Sequence, residues 1–134
     1  MRTTSWKEFE KFIIQETGCK PFSGAGINPR PKQLTTLLRS VDDTYYYADD
    51  LRDKNLVKYT LFGHNGDQDE NEKRMNEPLL NETKTKHIYL YRKKDKEYIW
   101  YGKYEIIDKN SQQHIGKDRN MRTILVLTLK IIPT

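Results

Sequence analysis

Between Tyr47 and Gln68 the chain reads YADDLRDKNLVKYTLFGHNGDQ, which crowds two tyrosines, adjacent aspartates and a Gly-Asp-Gln turn into one short stretch. A strand pair needs alternating apolar residues and a turn, and not this density of polar and aromatic groups. Tyr47 and Tyr59 stand twelve residues apart, with Asp49 and Asp50 after the first and Lys58 before the second. If the segment folds as two strands around a turn at 52–55, the two rings can face one another across a gap. Two facing rings make a slot for a flat ligand, and an adjacent carboxylate can accept hydrogen bonds from an exocyclic amine. A nucleobase fits that description. Stacking on aromatic rings is worth ~1–3 kcal/mol per base, which two faces plus edge hydrogen bonds can set against the few kcal/mol of extruding a base from a duplex. The same tyrosines could instead line a hydrophobic core or be ordinary strand residues, and the pattern alone leaves both open.

The elements that would hold such a slot follow from composition and periodicity. A length of 134 residues predicts one domain, 1–134, with a core of ordinary size. The charge, 24 − 19 = +5, favours an anionic partner such as nucleic acid. The single cysteine, Cys19, rules out an intrachain disulfide and suits a reducing compartment. No stretch approaches the ~18–20 apolar residues of a membrane span, and the start, MRTTSWKEFEKF, lacks the apolar core of a signal peptide. A cytoplasmic, nucleoid-associated protein with no membrane partner is expected.

Apolar residues at Trp6, Phe9, Phe12 and Ile13 have helical spacing. Ser5 with Glu8 makes a capping-box start, and Gly18 a stop. This N-terminal helix, within residues 1–20, is expected to pack on a barrel. The Gly- and Pro-rich segment 21–31 reads as a loop laid over the fold. Period-two patterns then predict strands over 34–41, 44–47, 56–62, 87–91, 98–107 and 123–132. The last, TILVLTLKII, is rich in β-branched residues and reads as a buried central strand. Residues 68–83 are polar and helix-prone around Pro78, RKKDKE at 92–97 reads as a charged hairpin tip, and 108–120 as a loop. The sum is mainly β with short helices (α+β): a small, mostly antiparallel barrel with an N-terminal helix.

The order of these motifs resembles the SRA (SET- and RING-associated, or YDG) family of PUA-like β-barrels, which read modified cytosine in DNA. YYYADD, KYTLFGHNGDQ, NEPLL, HIYLYRK, YIWYGKYEII and RTILVLTL occur in the family's order across 34–132. The likeness is strongest to the short SRA-like domains of bacterial modification-dependent restriction enzymes, often joined to an HNH nuclease. The resemblance implies a module that grips duplex DNA, flips a modified cytosine and stacks it between two rings. It matches Tyr47 and Tyr59 to the stacking pair, Asp50 to the carboxylate that reads the Watson–Crick edge, and Thr60 to the neighbour of the second ring. It also matches Gly63, Gly66, Asp67, Gln68 and Asn76 to the loops that shape the pocket, with His64 among them. Where the family has glycine after Tyr-Thr, this chain has Leu61-Phe62, so Leu61 narrows the approach of backbone to base or Phe62 adds a stacking face. The stretch between Gln68 and Asn76 also differs in length from eukaryotic members. Both departures leave open whether 5-methylcytosine, 5-hydroxymethylcytosine or a larger group is read.

Other chemistry is thinner. Asp67 with Glu82 and Lys84 could form a Mg-dependent PD-(D/E)xK nuclease set, but that spacing arises readily by chance in a chain with 32% charged residues, and NETKTK is polar rather than an apolar strand. His64, His87, His114 and Cys19 lack metal-ligand spacing, so no metal, cofactor or catalytic residue is called for. Arg30, Lys32, Arg39, Lys58, Arg74, Arg92, Lys93, Lys94, Lys117, Arg119 and Arg122 read singly as solvated charges. As a set on one face they would hold DNA phosphates. The expected protein is therefore a binding module and not an enzyme, with duplex DNA as partner and any nuclease in another domain or subunit. A PUA-like RNA-binding module and the small nuclease are the alternatives.

Overall fold

Ser5 and Gly18 bracket the first helix in the computed structural model, which describes residues 1–21, 26–42 and 44–133. After a short strand β1 (Arg2–Thr3), helix α1 runs Trp6–Thr17. The Ser5 hydroxyl accepts the Glu8 N–H at 3.2 Å. Gly18 closes the helix at φ 72°, with its N–H on the Ile14 carbonyl. Replacing Ser5 by alanine removes that cap and is expected to lower stability by about 1 kcal/mol, seen as a shift of the urea midpoint at unchanged slope.

The remaining elements are β2 (Ile27–Arg30), a 3-10 turn (Pro31–Gln33), β3 (Thr35–Val41), β4 (Leu56–Thr60), α2 (Asn76–Leu80), β5 (His87–Lys94), β6 (Glu97–Ile115) and β7 (Met121–Ile131). The strands form one seven-stranded sheet in the order β2-β3-β5-β6-β7-β4, with β1 beside β6. Every ladder is antiparallel except β3 with β5, which is parallel. The class is mainly β with an N-terminal helix, as the periodicity predicts. The order stays open, and a side chain rather than a ladder links its ends. The Tyr59 hydroxyl, on β4, lies 3.1 Å from the Gly26 carbonyl beside β2 and 3.0 Å from the Arg39 carbonyl on β3.

The curled sheet buries one core on its inner face, built from Leu38, Val57, Tyr59, Leu90, Leu127 and Leu129 with their neighbours. A second core lies under α1, where Phe9 and Ile13 pack on Leu37 and Tyr91, with Trp6, Tyr98 and Trp100 at its rim. The central strand β7 buries Ile124, Val126, Leu127, Thr128 and Leu129, which explains its continuous apolar run.

Several local expectations change. Residues 44–47 form a turn, with the Tyr47 N–H on the Thr44 carbonyl, and not a strand. Part of the expected loop 21–31 is strand β2, where Pro29 is tolerated because β2 lies at the sheet edge; residues 22–25 lie outside the described residues. The expected loop 108–120 is strand as far as Ile115, since its polar side chains face solvent while its backbone pairs with β7 from Asp108↔Thr128 to Ile115↔Met121. The hairpin tip shrinks to Asp95 and Lys96. No helix among the described residues is long and apolar enough to cross a membrane.

Candidate nucleic-acid interface

A cavity of about 290 Å³ opens between β3, β4 and the loops that precede and follow β4. Tyr47, Asp49, Tyr59, Thr60, Leu61, Phe62 and His64 line it, together with Gly26, Arg39, Tyr46 and Met75. Tyr47 and Tyr59, the sequence-predicted pair, are thus brought to one space. Tyr59 is almost wholly buried and forms the floor, while Tyr47 stands at the wall with its ring against Tyr46 (4.9 Å) and His64 (5.9 Å). Burial pushes the Tyr47 hydroxyl up to about 12 and that of Tyr59 well above its ordinary value, so both are neutral donors at physiological pH.

The two aspartates part company. Asp50 exchanges both backbone hydrogen bonds with Lys58, at 2.9 and 3.0 Å, so its side chain points outward with that of Lys58. There it pairs with Arg52 (2.7 Å), whose hydrogen bonds hold the carboxyl down at about 2. Asp50 does not line the cavity. Period-two alternation turns Asp49 inward, where its Oδ1 accepts the Thr60 N–H and its Oδ2 accepts the Ser40 hydroxyl, each at 2.7 Å. Burial pushes the Asp49 carboxyl above the usual range, against the pull of those hydrogen bonds. The spacing Tyr-x-Asp, read with strand alternation, is the signal that separates residue 49 from residue 50.

Beyond Thr60 the wall leaves the regular ladder, and side chains replace it. Asn76, fully buried at the start of α2, accepts the Phe62 N–H (2.8 Å) and donates to the carbonyls of Phe62 and Asp69 (3.0 Å each). Gln68 donates to the Leu61 and Gly63 carbonyls and accepts the Leu125 N–H. Asp67 accepts the Thr123 N–H at 2.8 Å. Gly63 has φ 134°, and a Cβ there would stand 3.3 Å from Gln68, so glycine is required. Gly66 turns the loop at φ 69°. These residues brace the cavity wall rather than line it.

Arg122, expected among the surface cations, is instead buried at the base of the β6–β7 tip. Its guanidinium donates to the carbonyls of Gly63 (2.5 Å), Gly66 (3.3 Å) and Tyr46 (2.7 Å). It therefore ties the loops on both sides of the mouth, and only the tertiary fold brings those carbonyls together. The tip itself reaches over the mouth: Lys117 donates its N–H to the His64 carbonyl and accepts the Tyr45 hydroxyl at 2.7 Å. The Lys117 ammonium lies 5.8 Å from the Tyr46 ring centre and the Arg119 guanidinium 4.4 Å from that of Tyr45. Burial, and then Lys117 and Arg122, lower the His64 pKa, which keeps that imidazole neutral near pH 7.

The other expected cations are spread over the molecule. The Arg30 guanidinium donates to the carbonyls of Lys20 and Pro29. Arg92 makes a two-pronged pair with Asp42 (2.8 and 3.0 Å) and donates to the Tyr101 hydroxyl. This pair lines a neighbouring polar cavity of about 240 Å³ that shares Tyr47 and Asp49 with the first. Lys58 donates to Thr128, Arg74 faces Glu72 at 3.8 Å, Lys93 lies over Tyr98, and Lys32 and Lys94 are exposed. Asp67 is engaged with Thr123 and Lys84 with Glu77 (2.7 Å), and among the described residues no three His, Cys, Asp or Glu side chains converge on a metal-sized site.

A family model described as "ScoMcrA-like, SRA domain" matches residues 13–134. No curated protein sequence matches the chain. Among solved structures, the sulfur-binding and SRA domains of ScoMcrA complexed with phosphorothioated DNA align at TM-score 0.69 and 17% identity; the alignment covers 100% of this chain and 39% of that one. The SUVH5 SRA domain with methylated CHH DNA aligns at TM-score 0.66 and 20% identity, over 92% of this chain and 84% of that one. The same domain bound to fully hydroxymethylated CG DNA aligns at TM-score 0.64 and 19% identity, over 92% and 85%.

Proposed function

The chain belongs to the ScoMcrA-like SRA domain family, and from that premise we propose that it is a DNA-binding module that reads a modified cytosine. In this reading the base leaves the duplex and enters the cavity beside Tyr47, above Tyr59. Asp49 then meets its pairing edge, and the space toward Gly26 and Arg39 receives the group at C5. The observation that carries the reading is one inward carboxylate held in a ring-lined cavity of base size. In this reading Lys117 and Arg119, which lie over tyrosine rings at the mouth, meet the phosphates beside an extruded nucleotide. More distant cations such as Lys32, Lys58, Arg74 and Lys94 would add sequence-independent attraction. The relatives' complexes with phosphorothioated and methylated DNA support a modified duplex as partner. The biological setting that fits is a modification-dependent restriction system, with cleavage in another domain or subunit.

The test is a fluorescence-anisotropy titration at fixed salt. The probes are duplexes carrying one cytosine, 5-methylcytosine or 5-hydroxymethylcytosine, with single-stranded RNA of matched sequence beside them. One modified duplex is expected to bind at least tenfold tighter than the plain one, ~1.4 kcal/mol, with Tyr47→Ala removing the difference. Equal affinity for all duplexes, or tighter binding of the RNA, overturns the reading.

A further inference from the structure

Arg122 carries a charge that no neighbour balances. The residue is 3% exposed, and among the described residues no carboxylate comes within ion-pair distance of it. Asp118 acts on it only at longer range. Its Nε is buried without a hydrogen-bond partner. A buried cation held only by carbonyl dipoles costs stability that a well-packed apolar side chain would not. Strand β7 does bury apolar groups just beyond, at Ile124, Val126 and Leu127. A guanidinium at 122 therefore asks for a reason other than stability.

What the guanidinium holds is the width of the mouth. Nη1 donates to the carbonyls of Gly63 and Gly66, and Nη2 to that of Tyr46. The first two belong to the loop that brings Phe62 and His64 to the cavity, and the third to the turn that brings Tyr46 and Tyr47. A guanidinium is a rigid plane, so its fork fixes the separation of the two segments. The compact ammonium of lysine, on a flexible stem, cannot do so. Gly116 closes over the fork from the tip. A Cβ there would stand 3.2 Å from Arg122 Cδ and 3.3 Å from its Nε, so a side chain at 116 would press on the tie.

Resting on the reading above, we propose that Arg122 is a positioning residue for base selection. It touches neither base nor phosphate. It sets the gap between the Tyr46–Tyr47 turn and the Phe62–His64 loop, and that fixed gap is what separates a modified base from a plain one. A wall that cannot close leaves a void beside the bare C5 of cytosine, and the lining there loses its contacts. A modified base fills the void. A slack mouth settles round either base, and the preference falls.

The test compares wild type with Arg122→Lys, Arg122→Gln and Gly116→Ala. Dissociation constants of the preferred modified duplex and its plain counterpart are measured from about 50 to about 200 mM salt. The ratio of the two is the readout, because an unfolded fraction weakens both alike and cancels. Arg122→Lys keeps the charge and loses the fork. It is expected to lower the preference at least about fivefold, the low end of coupling between sites. Gly116→Ala keeps the guanidinium, presses on it from the tip, and is expected to lower the preference in the same direction. Arg122→Gln removes the charge and is expected to lower the preference while the dependence of log Kd on log salt keeps its slope. A slope reduced by about 1 would make Arg122 a phosphate contact and overturn the proposal. Full preference in Arg122→Lys also overturns it. If neither Arg122 variant folds, full preference in Gly116→Ala does the same. A wild type with no preference at all sinks the reader itself, whereas a preference that survives Arg122→Lys sinks the positioning role alone.

Discussion

Asp49→Ala is expected to erase the preference for modified over plain duplex, while Asp50→Ala leaves it intact. The two carboxylates are neighbours in sequence and opposites in space. Asp49 lies in the cavity between Ser40 and Thr60, and Asp50 lies outside on Arg52. A hydrogen bond to a charged group is worth ~1.5–3 kcal/mol, so the loss at residue 49 should be between about tenfold and a hundredfold. Overall affinity for DNA should fall less, because phosphate contacts carry the sequence-independent part. Anisotropy titrations with both variants decide the matter, alongside urea unfolding to confirm that Asp49→Ala is folded. Equal losses in the two variants would refute the assignment of the cavity carboxylate.

Asn76→Ala is expected to destabilise the protein by ~2–4 kcal/mol, a large effect for the truncation of one buried polar side chain. The Asn76 amide is fully buried and serves three backbone groups: the N–H and carbonyl of Phe62 and the carbonyl of Asp69. No strand on that side can take its place, since β4 ends at Thr60. Each buried group left unmatched costs ~1–3 kcal/mol, and the sum falls short of three full penalties because carbonyls keep spare acceptor capacity and the loop can relax. Urea denaturation measures it. A loss below about 1 kcal/mol would mean that water takes the amide's place and that the Phe62 wall does not depend on it. Because Phe62 and His64 form that wall, the folded variant should also bind modified duplex less well.

What local sequence determined here is what local physics decides. Ser5 and Gly18 mark the ends of α1 because capping needs only neighbouring residues. The apolar run of β7 reads as central because burial on both faces leaves no polar positions. Tyr47, Tyr59, Gln68 and Asn76 stood out because their types are unusual for bare strands. Tertiary structure decided the rest. Whether residue 49 or 50 enters the cavity depends on the pairing of Asp50 with Lys58 across a turn, and a one-residue change of register would exchange them. Residues 108–115 and 27–30 read as loops because their side chains are polar or carry proline. They are strands because partners far along the chain satisfy their backbones. Arg122 looked like one more surface cation until three carbonyls from two loops converged on it. A side chain's type is written in the sequence, but the groups that meet it are set by register and by long-range pairing, and the site is made of those meetings.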